Sequence, residues 1–187
     1  MPTHSSDRPY DSTQSVSAVG TVRGGALHEK GATTRETAGK ALLSLVAVFT
    51  AVSPYVADWN ETHVLNPLWP PHAKFHNGQT MAMGTLLAVA TLFFVWRRRG
   101  DARSNLFAAV GFAGLYWVSQ AAAILYPGAA YFDPRFDTAD MYLAGLPVQA
   151  VIEIVVLALI AGSVVLCRPT RGEGAAGGSE GLTLAAR

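Results

Sequence analysis

Four long apolar stretches constrain the fold of this chain more than any other feature of its sequence. They span about residues 41–56, 80–96, 106–126 and 143–167. A helix needs ~20 residues to cross a hydrocarbon core of ~30 Å, a length that the last two reach alone and the first two reach with their flanks. Only 14% of the residues are charged, against about 25% in soluble domains. The sequence therefore predicts an all-α integral membrane protein built as a four-helix bundle.

The segments outside these stretches do not suggest a second domain. Residues 1–38 are rich in Ser, Thr, Gly and charge without apolar periodicity, and the segment after residue 168 is rich in Gly and Ala. Such compositions are typical of disorder. We predict disordered tails at 1–38 and 169–187 around a single four-transmembrane-helix domain at 39–168.

Basic residues are distributed unevenly among the connections between the apolar stretches. The connections at 57–71 and 127–141, together with the start of the second stretch, hold only Lys74 and Arg135. Cytoplasmic segments of membrane proteins carry an excess of Lys and Arg. We therefore predict a protein of the cell membrane with both termini cytoplasmic and these two connections outside. The basic residues on the predicted cytoplasmic side are Arg23, Lys30, Arg35, Lys40, Arg97, Arg98, Arg99, Arg103, Arg168 and Arg171.

Composition also narrows the possible partners. A net charge of +1 gives no reason to expect nucleic acid, and the single Cys167 excludes an internal disulfide and a four-Cys zinc site. The chain has no phosphate-binding Gly loop and no Gly-x-Ser-x-Gly motif, which disfavours nucleotide use and serine-type hydrolysis. We expect a lipophilic small-molecule substrate and membrane lipid as partners and no cofactor. The sequence leaves the oligomeric state open.

The connection after the first apolar stretch is the most unusual segment, because it mixes aromatic, imidazole and carboxylate groups. Pro70-Pro71 predicts the start of the second helix, which puts His72 and His76 on one helical face. Aromatic residues here have the alternative role of interface anchors, and Asp58 and Asn66 the alternative role of turn caps. The candidate site residues of this region are Asp58, Trp59, Glu61, His63, Asn66, Trp69, His72, His76 and Gln79.

Glu153 lies about ten residues inside the fourth apolar stretch, which predicts a position near the bilayer centre at ~1.5 Å rise per residue. A carboxylate there costs ~2.5 kcal/mol or more to insert and usually faces a cavity or a partner. Desolvation favours the neutral acid, which suits a proton donor. The alternative is a protonated Glu153 that joins helices through a hydrogen bond to Tyr116 or Gln120. Further candidates for substrate binding are Tyr116, Trp117, Gln120 and Gln149.

The histidine pair allows two interpretations. Histidines four apart can ligate one metal ion, with Asp58, Glu61 or His63 as further ligands. Lys74 lies between them, however, and the general-base Glu of the zinc protease motif is absent. We expect no metal, and we expect both imidazoles to carry protons or donate hydrogen bonds, because imidazole titrates near neutrality.

Several of these residues also support a resemblance to a known family. Tyr55, Asp58, Asn66-Pro67-Leu68 and Pro70-Pro71, followed by a polar helix start, resemble the EXPERA superfamily of four-span membrane proteins, which includes the emopamil-binding sterol isomerases. The resemblance implies a sterol-like or isoprenoid ligand inside the bundle. It also implies proton transfer by acidic side chains, a role that would fall to Glu153 and by analogy to Glu61 or Asp58. The histidine pair and the placement of the buried carboxylate in the fourth stretch depart from the family pattern.

Together these features predict an enzyme with an outward-opening polar pocket. Its reaction would be acid–base isomerisation or cyclisation of an isoprenoid, terpenoid or sterol-like substrate, with aromatic rings stabilising a cationic intermediate. One alternative is a metal-dependent membrane enzyme that uses the histidine pair. The other is a non-enzymatic lipid-binding or assembly subunit. The expected catalytic residues are Glu153, His72, His76 and Glu61.

Overall fold

In a computed structural model of the chain, residues 34–168 are described with their side chains, and residues 15–33 only as the backbone of the first helix. Of the tails predicted at 1–38 and 169–187, residues 15–38 belong to the first helix, whereas residues 1–14 and 169–187 lie outside the described residues. Residues 36–168 form one compact unit. The elements are helices α1 (Ser15–Asp58), α2 (Pro71–Trp96), α3 (Ala102–Ala123) and α4 (Val148–Cys167), with a 3-10 turn (Ala139–Met141) and a hairpin of strands β1 (Tyr142–Leu143) and β2 (Leu146–Pro147) before α4.

The four predicted apolar helices are present. The part of α1 from Thr34 to Asp58 and all of α2, α3 and α4 are long and apolar enough to cross a membrane. As the sequence predicts, α2 begins at Pro71, with Pro70 as its extended N-cap residue. Proline suits this position because the first N–H groups of a helix have no intrahelical acceptor. The chain is thus mostly helical, and the hairpin is its only sheet within residues 34–168.

The fourth helix begins later than its apolar sequence indicates. The stretch from residue 143 does not continue the helix, because Leu143 pairs with Leu146 in the antiparallel hairpin. Ala144 and Gly145 turn the chain with φ angles of 53° and 81°. Helix α4 then starts at Val148. Glu153 lies only five residues after this start, or about 7.5 Å along the helix axis. Glu153 is therefore nearer to the start of the helix than the apolar stretch indicates, and its depth in the bilayer stays a prediction.

Helix α3 begins earlier than its apolar stretch because Asp101 caps it. The Asp101 carboxylate accepts a hydrogen bond from the Ser104 backbone N–H at 2.7 Å. This contact satisfies one of the free N–H groups at the helix start. The same backbone hydrogen bond is the largest cause of a lowered pKa for Asp101. The cap fixes where the Arg-rich connection ends and the helix starts.

The core contains aliphatic and aromatic side chains from all four helices. Trp117 is its central polar contact, because its indole Nε1 donates to Thr50 Oγ1 at 2.9 Å. The Thr50 hydroxyl in turn donates to the backbone oxygen of Val46 at 2.9 Å, and the Phe49 ring stacks on the Trp117 ring at 5.7 Å. These contacts fix α1 against α3. The core cluster consists of Leu43, Val46, Val95, Ala109, Ala113, Tyr116, Trp117, Val156 and Ile160.

Helices α1 and α2 are in close contact at Gly84. Pro54 lies inside α1 and has no N–H, so the Thr50 carbonyl lacks its usual intrahelical donor. Gly84 packs directly against this carbonyl, and a Cβ atom at Gly84 would lie 2.9 Å from Thr50 O and 3.3 Å from a ring carbon of Tyr116. The missing side chain of Gly84 therefore allows the two backbones to meet.

This contact predicts that Gly84→Ala destabilises the bundle. The added methyl group meets a backbone atom that cannot move alone, and overpacking of this kind costs about 1–3 kcal/mol. It outweighs the gain in helix propensity of about 1 kcal/mol. We expect a lower midpoint of thermal unfolding for the purified protein in detergent.

Gly114→Ala in α3 is the matched control, since nothing lies within 4 Å of the Cβ position there. Gly114→Ala adds only the higher helix propensity of alanine. Its midpoint of thermal unfolding should therefore be equal to or above that of the wild type. Equal midpoints for the two variants would contradict the close packing at Gly84.

Candidate functional site

The buried faces of the four helices change from apolar to polar at one end of the bundle. There α1 and α3 end and α2 and α4 begin. Each helix has at least one buried or half-buried polar side chain within about 9 Å of its end, at ~1.5 Å rise per residue. Four of them, one from each helix, form what we call the polar end: Asp58 of α1, Asn77 of α2, Gln120 of α3 and Glu153 of α4.

Three members of the polar end present buried oxygen atoms without a hydrogen-bond partner among the described residues. These atoms are Asn77 Oδ1, Gln120 Oε1 and Glu153 Oε1. An unpaired buried polar group costs about 1–3 kcal/mol, so most such groups in folded proteins find a partner. All three of these atoms lie at the same end of the bundle.

Glu153 is the most buried of these residues, with 4% of its surface exposed. It lies on the inward face of α4 in register with Val156 and Ile160, the three- and four-residue spacing of a helical face. No hydrogen bond joins it to Tyr116 or Gln120 in residues 34–168, so the alternative role as a hydrogen-bonded link between helices is not observed. Gln149, one turn nearer the helix start, is half-buried.

Asp58 connects α1, α2 and the connection between them. Its Oδ2 accepts from Asn77 Nδ2 at 2.8 Å, and its Oδ1 lies 3.7 Å from His63 Nδ1. The same His63 nitrogen lies 2.7 Å from the Thr62 hydroxyl, and the His63 ring meets the edge of Trp69 at 5.0 Å. Asp58 is therefore the last residue of α1 and also links α1 to α2.

Asn66 caps a turn, which is one of the two roles that its sequence allows; the other is substrate binding. It is buried, and its Oδ1 accepts from the backbone N–H of Leu68 at 2.9 Å. This bond between residues two apart closes an Asx turn. Asn66 therefore shapes the connection rather than facing a ligand with that oxygen.

The predicted pairing of His72 and His76 on one face of α2 is confirmed. Their Nε2 atoms lie 3.0 Å apart, and His76 Nδ1 lies 3.2 Å from Gln79 Oε1. All three side chains are at least partly exposed. In a hydrogen bond between these two atoms, one imidazole nitrogen donates and the other accepts. Between residues 34 and 168, no group of three His, Cys, Asp or Glu side chains is placed to hold a metal ion.

The remaining candidates are divided between the core and the surface. Tyr116 and Trp117 are buried core residues whose rings meet edge to face at 5.3 Å, and Thr50 takes the indole N–H of Trp117. Trp59 is exposed and stacks on Tyr55, and Glu61 is exposed in the connection. The structure thus brings Asp58, His63 and Trp69 together and pairs the histidines, and it joins neither group to Glu153 by a hydrogen bond.

Sequence reasoning missed Asn77, which follows the histidine pair directly. Its position was readable from the helical register, because residues 77, 81, 84 and 88 fall on one face. The last three of these are the buried Met81, Gly84 and Ala88. An amide that begins a buried face is a signal for a polar contact between helices, here with Asp58.

We predict that the Asp58–Asn77 contact stabilises the fold. Hydrogen bonds to charged groups contribute about 1.5–3 kcal/mol, so Asp58→Ala should lower the free energy of unfolding in detergent by about that amount. Asn77→Ala should add little in the Asp58→Ala background. Glu61→Ala, which removes an exposed carboxylate three residues away, should stay within about 0.5 kcal/mol of wild type. Fully additive losses for Asp58 and Asn77 would contradict the contact.

Comparison with known proteins places this site within a family. A family profile matches residues 42–176, a segment that covers most of the chain and contains all four residues of the polar end. Neither the curated proteins nor the solved structures contain a match to the chain. The extent of the matched segment shows that the chain belongs to DUF6640, a family of unknown function.

Proposed function

We propose that this protein is a membrane-embedded enzyme that isomerises or cyclises an isoprenoid, terpenoid or sterol-like substrate by acid–base chemistry. The observation that carries the proposal is Glu153, a buried carboxyl group whose Oε1 has no partner among the described side chains. A buried acid without an internal partner is available to a substrate. Four helices apolar enough to cross a membrane give such a substrate a lipophilic route to it.

In this proposal all four helices cross the cell membrane with both termini in the cytoplasm. The support is the distribution of charge, since the connection between α2 and α3 and the start of α3 hold Arg97, Arg98, Arg99 and Arg103, whereas the connection between α3 and α4 holds only Arg135. Lys and Arg collect on the cytoplasmic side. The polar end then faces outward and forms the entrance for the substrate.

The proposed reaction begins with proton transfer from Glu153. Burial favours the neutral acid, which gives its proton to one carbon of a substrate alkene. The π bond supplies the electron pair for the new C–H bond, and the neighbouring carbon becomes a cation. In an isomerisation, loss of a proton from the next carbon forms the new double bond. In a cyclisation, a second alkene attacks the cation before that loss, and either product is an isomer of the substrate.

Other residues at this end of the bundle have supporting roles in this mechanism. The proton leaves the substrate to a carboxylate or an imidazole, for which Asp58, Glu61, His72 and His76 are the candidates. General bases must come within hydrogen-bond reach of the proton they remove. The unpaired oxygens of Asn77 and Gln120 are acceptors for a substrate hydroxyl group, which would orient the alkene toward Glu153.

The resemblance of the segment from Tyr55 to Pro71 to EXPERA proteins supports the choice of substrate class. The metal alternative draws support from the Nε2 atoms of His72 and His76, which are 3.0 Å apart on an exposed helical face. The lipid-binding alternative needs only the buried polar atoms and no proton transfer. Proton exchange into a substrate and the metal content of the protein distinguish these alternatives.

The first test concerns orientation. A cysteine at Ala130, in the connection between α3 and α4, should react with a membrane-impermeant thiol reagent added to intact cells. A cysteine at Gly100, in the Arg-rich connection, should react only after the cells are opened. Both experiments use a Cys167→Ala background, which removes the native thiol. The reverse labelling pattern would rule out the proposed topology and place the polar end inside.

The second test measures proton transfer directly, whatever the structure of the product. Purified protein in lipid vesicles is incubated in D₂O with an unsaturated sterol or a linear polyprenol, and deuterium incorporation into carbon is followed by mass spectrometry. We expect incorporation with the wild type. Glu153→Gln should remain folded and lose at least about a hundredfold in rate, because an amide cannot deliver the proton and general acids contribute about 10²–10⁴-fold.

Asp133→Asn is the matched control, since it neutralises an exposed carboxylate outside the polar end and should exchange at the wild-type rate. Near-normal exchange in Glu153→Gln would remove Glu153 from the mechanism. A co-purified lipid without any exchange would favour the lipid-binding alternative. About one zinc, iron or copper ion per chain, lost in His72→Ala, would favour the metal-dependent alternative.

A further inference from the structure

The end of the bundle opposite the polar end contains a half-open cavity of about 410 Å³. It lies between α1, the last turn of α2 and the first turn of α3. Its lining combines basic side chains with apolar ones and with the connection between α2 and α3. The lining residues are Lys40, Val95, Trp96, Arg97, Arg98, Gly100, Ala102 and Asn105.

The cavity carries an excess of positive charge. Of its three basic residues, Lys40 is paired with Glu36 through Nζ and Oε1 at 2.6 Å, and Arg97 lies over the Phe93 ring at 5.5 Å. Arg98 is exposed and forms no ion pair with any residue between 34 and 168. A cation held over an aromatic ring keeps its full charge. The positive charges of Arg97 and Arg98 are therefore available to an anion.

Asp101, the acidic residue between the lining residues Gly100 and Ala102, caps α3 and does not line the cavity. Asp101 accepts the Ser104 N–H at the start of α3, and it is not among the lining residues. The hydrogen bonds to the Ser104 N–H and side chain and to the Arg103 N–H lower its pKa, so it stays ionised while it caps the helix. Its carboxylate is directed to the helix start, where it satisfies backbone donors.

The shape of the cavity is built by specific contacts of its walls. Asn105 Nδ2 donates to the backbone oxygen of Arg99 at 2.9 Å and contacts that of Arg97 at 3.4 Å, which ties the connection to α3. Gly100 turns the chain with a φ of 81°, a conformation that favours glycine. The basic side chains therefore project from a held connection.

The end of α2, which lines the cavity beside the basic residues, has the character of a membrane interface. Trp96 donates its indole N–H to Ser44 Oγ at 3.0 Å, which holds the ring beside α1 while 55% of the residue stays exposed. Tryptophan collects at the depth of lipid headgroups because its ring is part apolar and part polar. Beside it, Val95 is buried at the end of the apolar helix. The cavity lining thus has apolar groups and basic groups next to each other at the end of α2.

We propose that this cavity binds the phosphate of an anionic phospholipid headgroup, with the acyl chains lying along the apolar helices. Basic pockets between membrane helices are suited to anionic lipid headgroups, and an arginine guanidinium matches a phosphate group with two parallel hydrogen bonds. A free phosphate ion would share the charge complementarity but would leave the exposed ring of Trp96 without a partner. This site is independent of the proposed enzymatic function, because it lies at the other end of the bundle.

The test measures lipid binding by native mass spectrometry of the full chain released from detergent micelles. Phosphatidylglycerol should bind at lower concentration than phosphatidylcholine. Arg98→Gln should weaken phosphatidylglycerol binding by about fivefold, the effect expected for one basic residue at a membrane surface. Arg103→Gln is the matched control, because it removes the same charge close by at a residue that does not line the cavity. It should change binding by less than about twofold, since a charge outside the cavity acts only through the screened field.

The remaining outcomes separate the two sources of phosphate and the nonspecific case. If inorganic phosphate binds Arg98→Gln more weakly than the wild type, while phosphatidylglycerol binds both proteins equally, the proposed lipid site is overturned in favour of a site for the free ion. Equal weakening by Arg98→Gln and Arg103→Gln would overturn the proposal, since net charge would then explain the binding. Equal affinities for phosphatidylglycerol and phosphatidylcholine would overturn it as well.

Discussion

The bundle depends on Thr50, where the side chain and the backbone of one residue fix α1 against two other helices. Its hydroxyl group accepts a hydrogen bond from the indole N–H of Trp117 and donates one to Val46 O. The polar hydrogens of the Thr50 hydroxyl and of the Trp117 indole are therefore both paired. Its carbonyl group, left without an intrahelical donor by Pro54, is covered by Gly84. Helix–helix contact in lipid relies on close approach and interhelical hydrogen bonds rather than on the hydrophobic effect. Thr50 takes part in both kinds of contact, the interhelical hydrogen bond through its side chain and the close approach through its carbonyl group.

The two halves of the bundle treat buried polar groups in opposite ways. In the core half, Thr91 and Ser163 donate to their own helices, to Leu87 O and Ile160 O. At the polar end, oxygens of Asn77, Gln120 and Glu153 have no partner among the described residues. The hydroxyl groups of Thr91 and Ser163 are thus hydrogen-bonded in the core half, whereas the three oxygen atoms at the polar end are not. This contrast is the reason why we propose a binding role for the polar end.

The sequence predicts the helices well because their signals are long and local. Four apolar stretches were enough to find the four helices, although α1 begins at Ser15, well before its apolar stretch. Pro70-Pro71 located the start of α2 and so paired His72 with His76. The error at α4 arose because Tyr142–Pro147 is apolar enough to extend the helix, while its hairpin depends on positive φ angles at Ala144 and Gly145. Ala144 gives no sequence warning of such an angle. Contacts between helices, such as Asp58 with Asn77, depend on helix packing and were not readable from spacing in one helix.

The hairpin before α4 also makes the helices unequal in length. Helix α4 has 20 residues and α2 has 26, which at ~1.5 Å per residue corresponds to about 30 Å and about 39 Å. In a bilayer with a core of ~30 Å, α4 matches the hydrocarbon thickness, whereas α2 exceeds it. Such a mismatch is accommodated by tilt or by protrusion of one end. Because His72 and His76 lie in the first turns of α2, the inclination of this single helix determines whether the imidazole pair is at headgroup depth or in hydrocarbon.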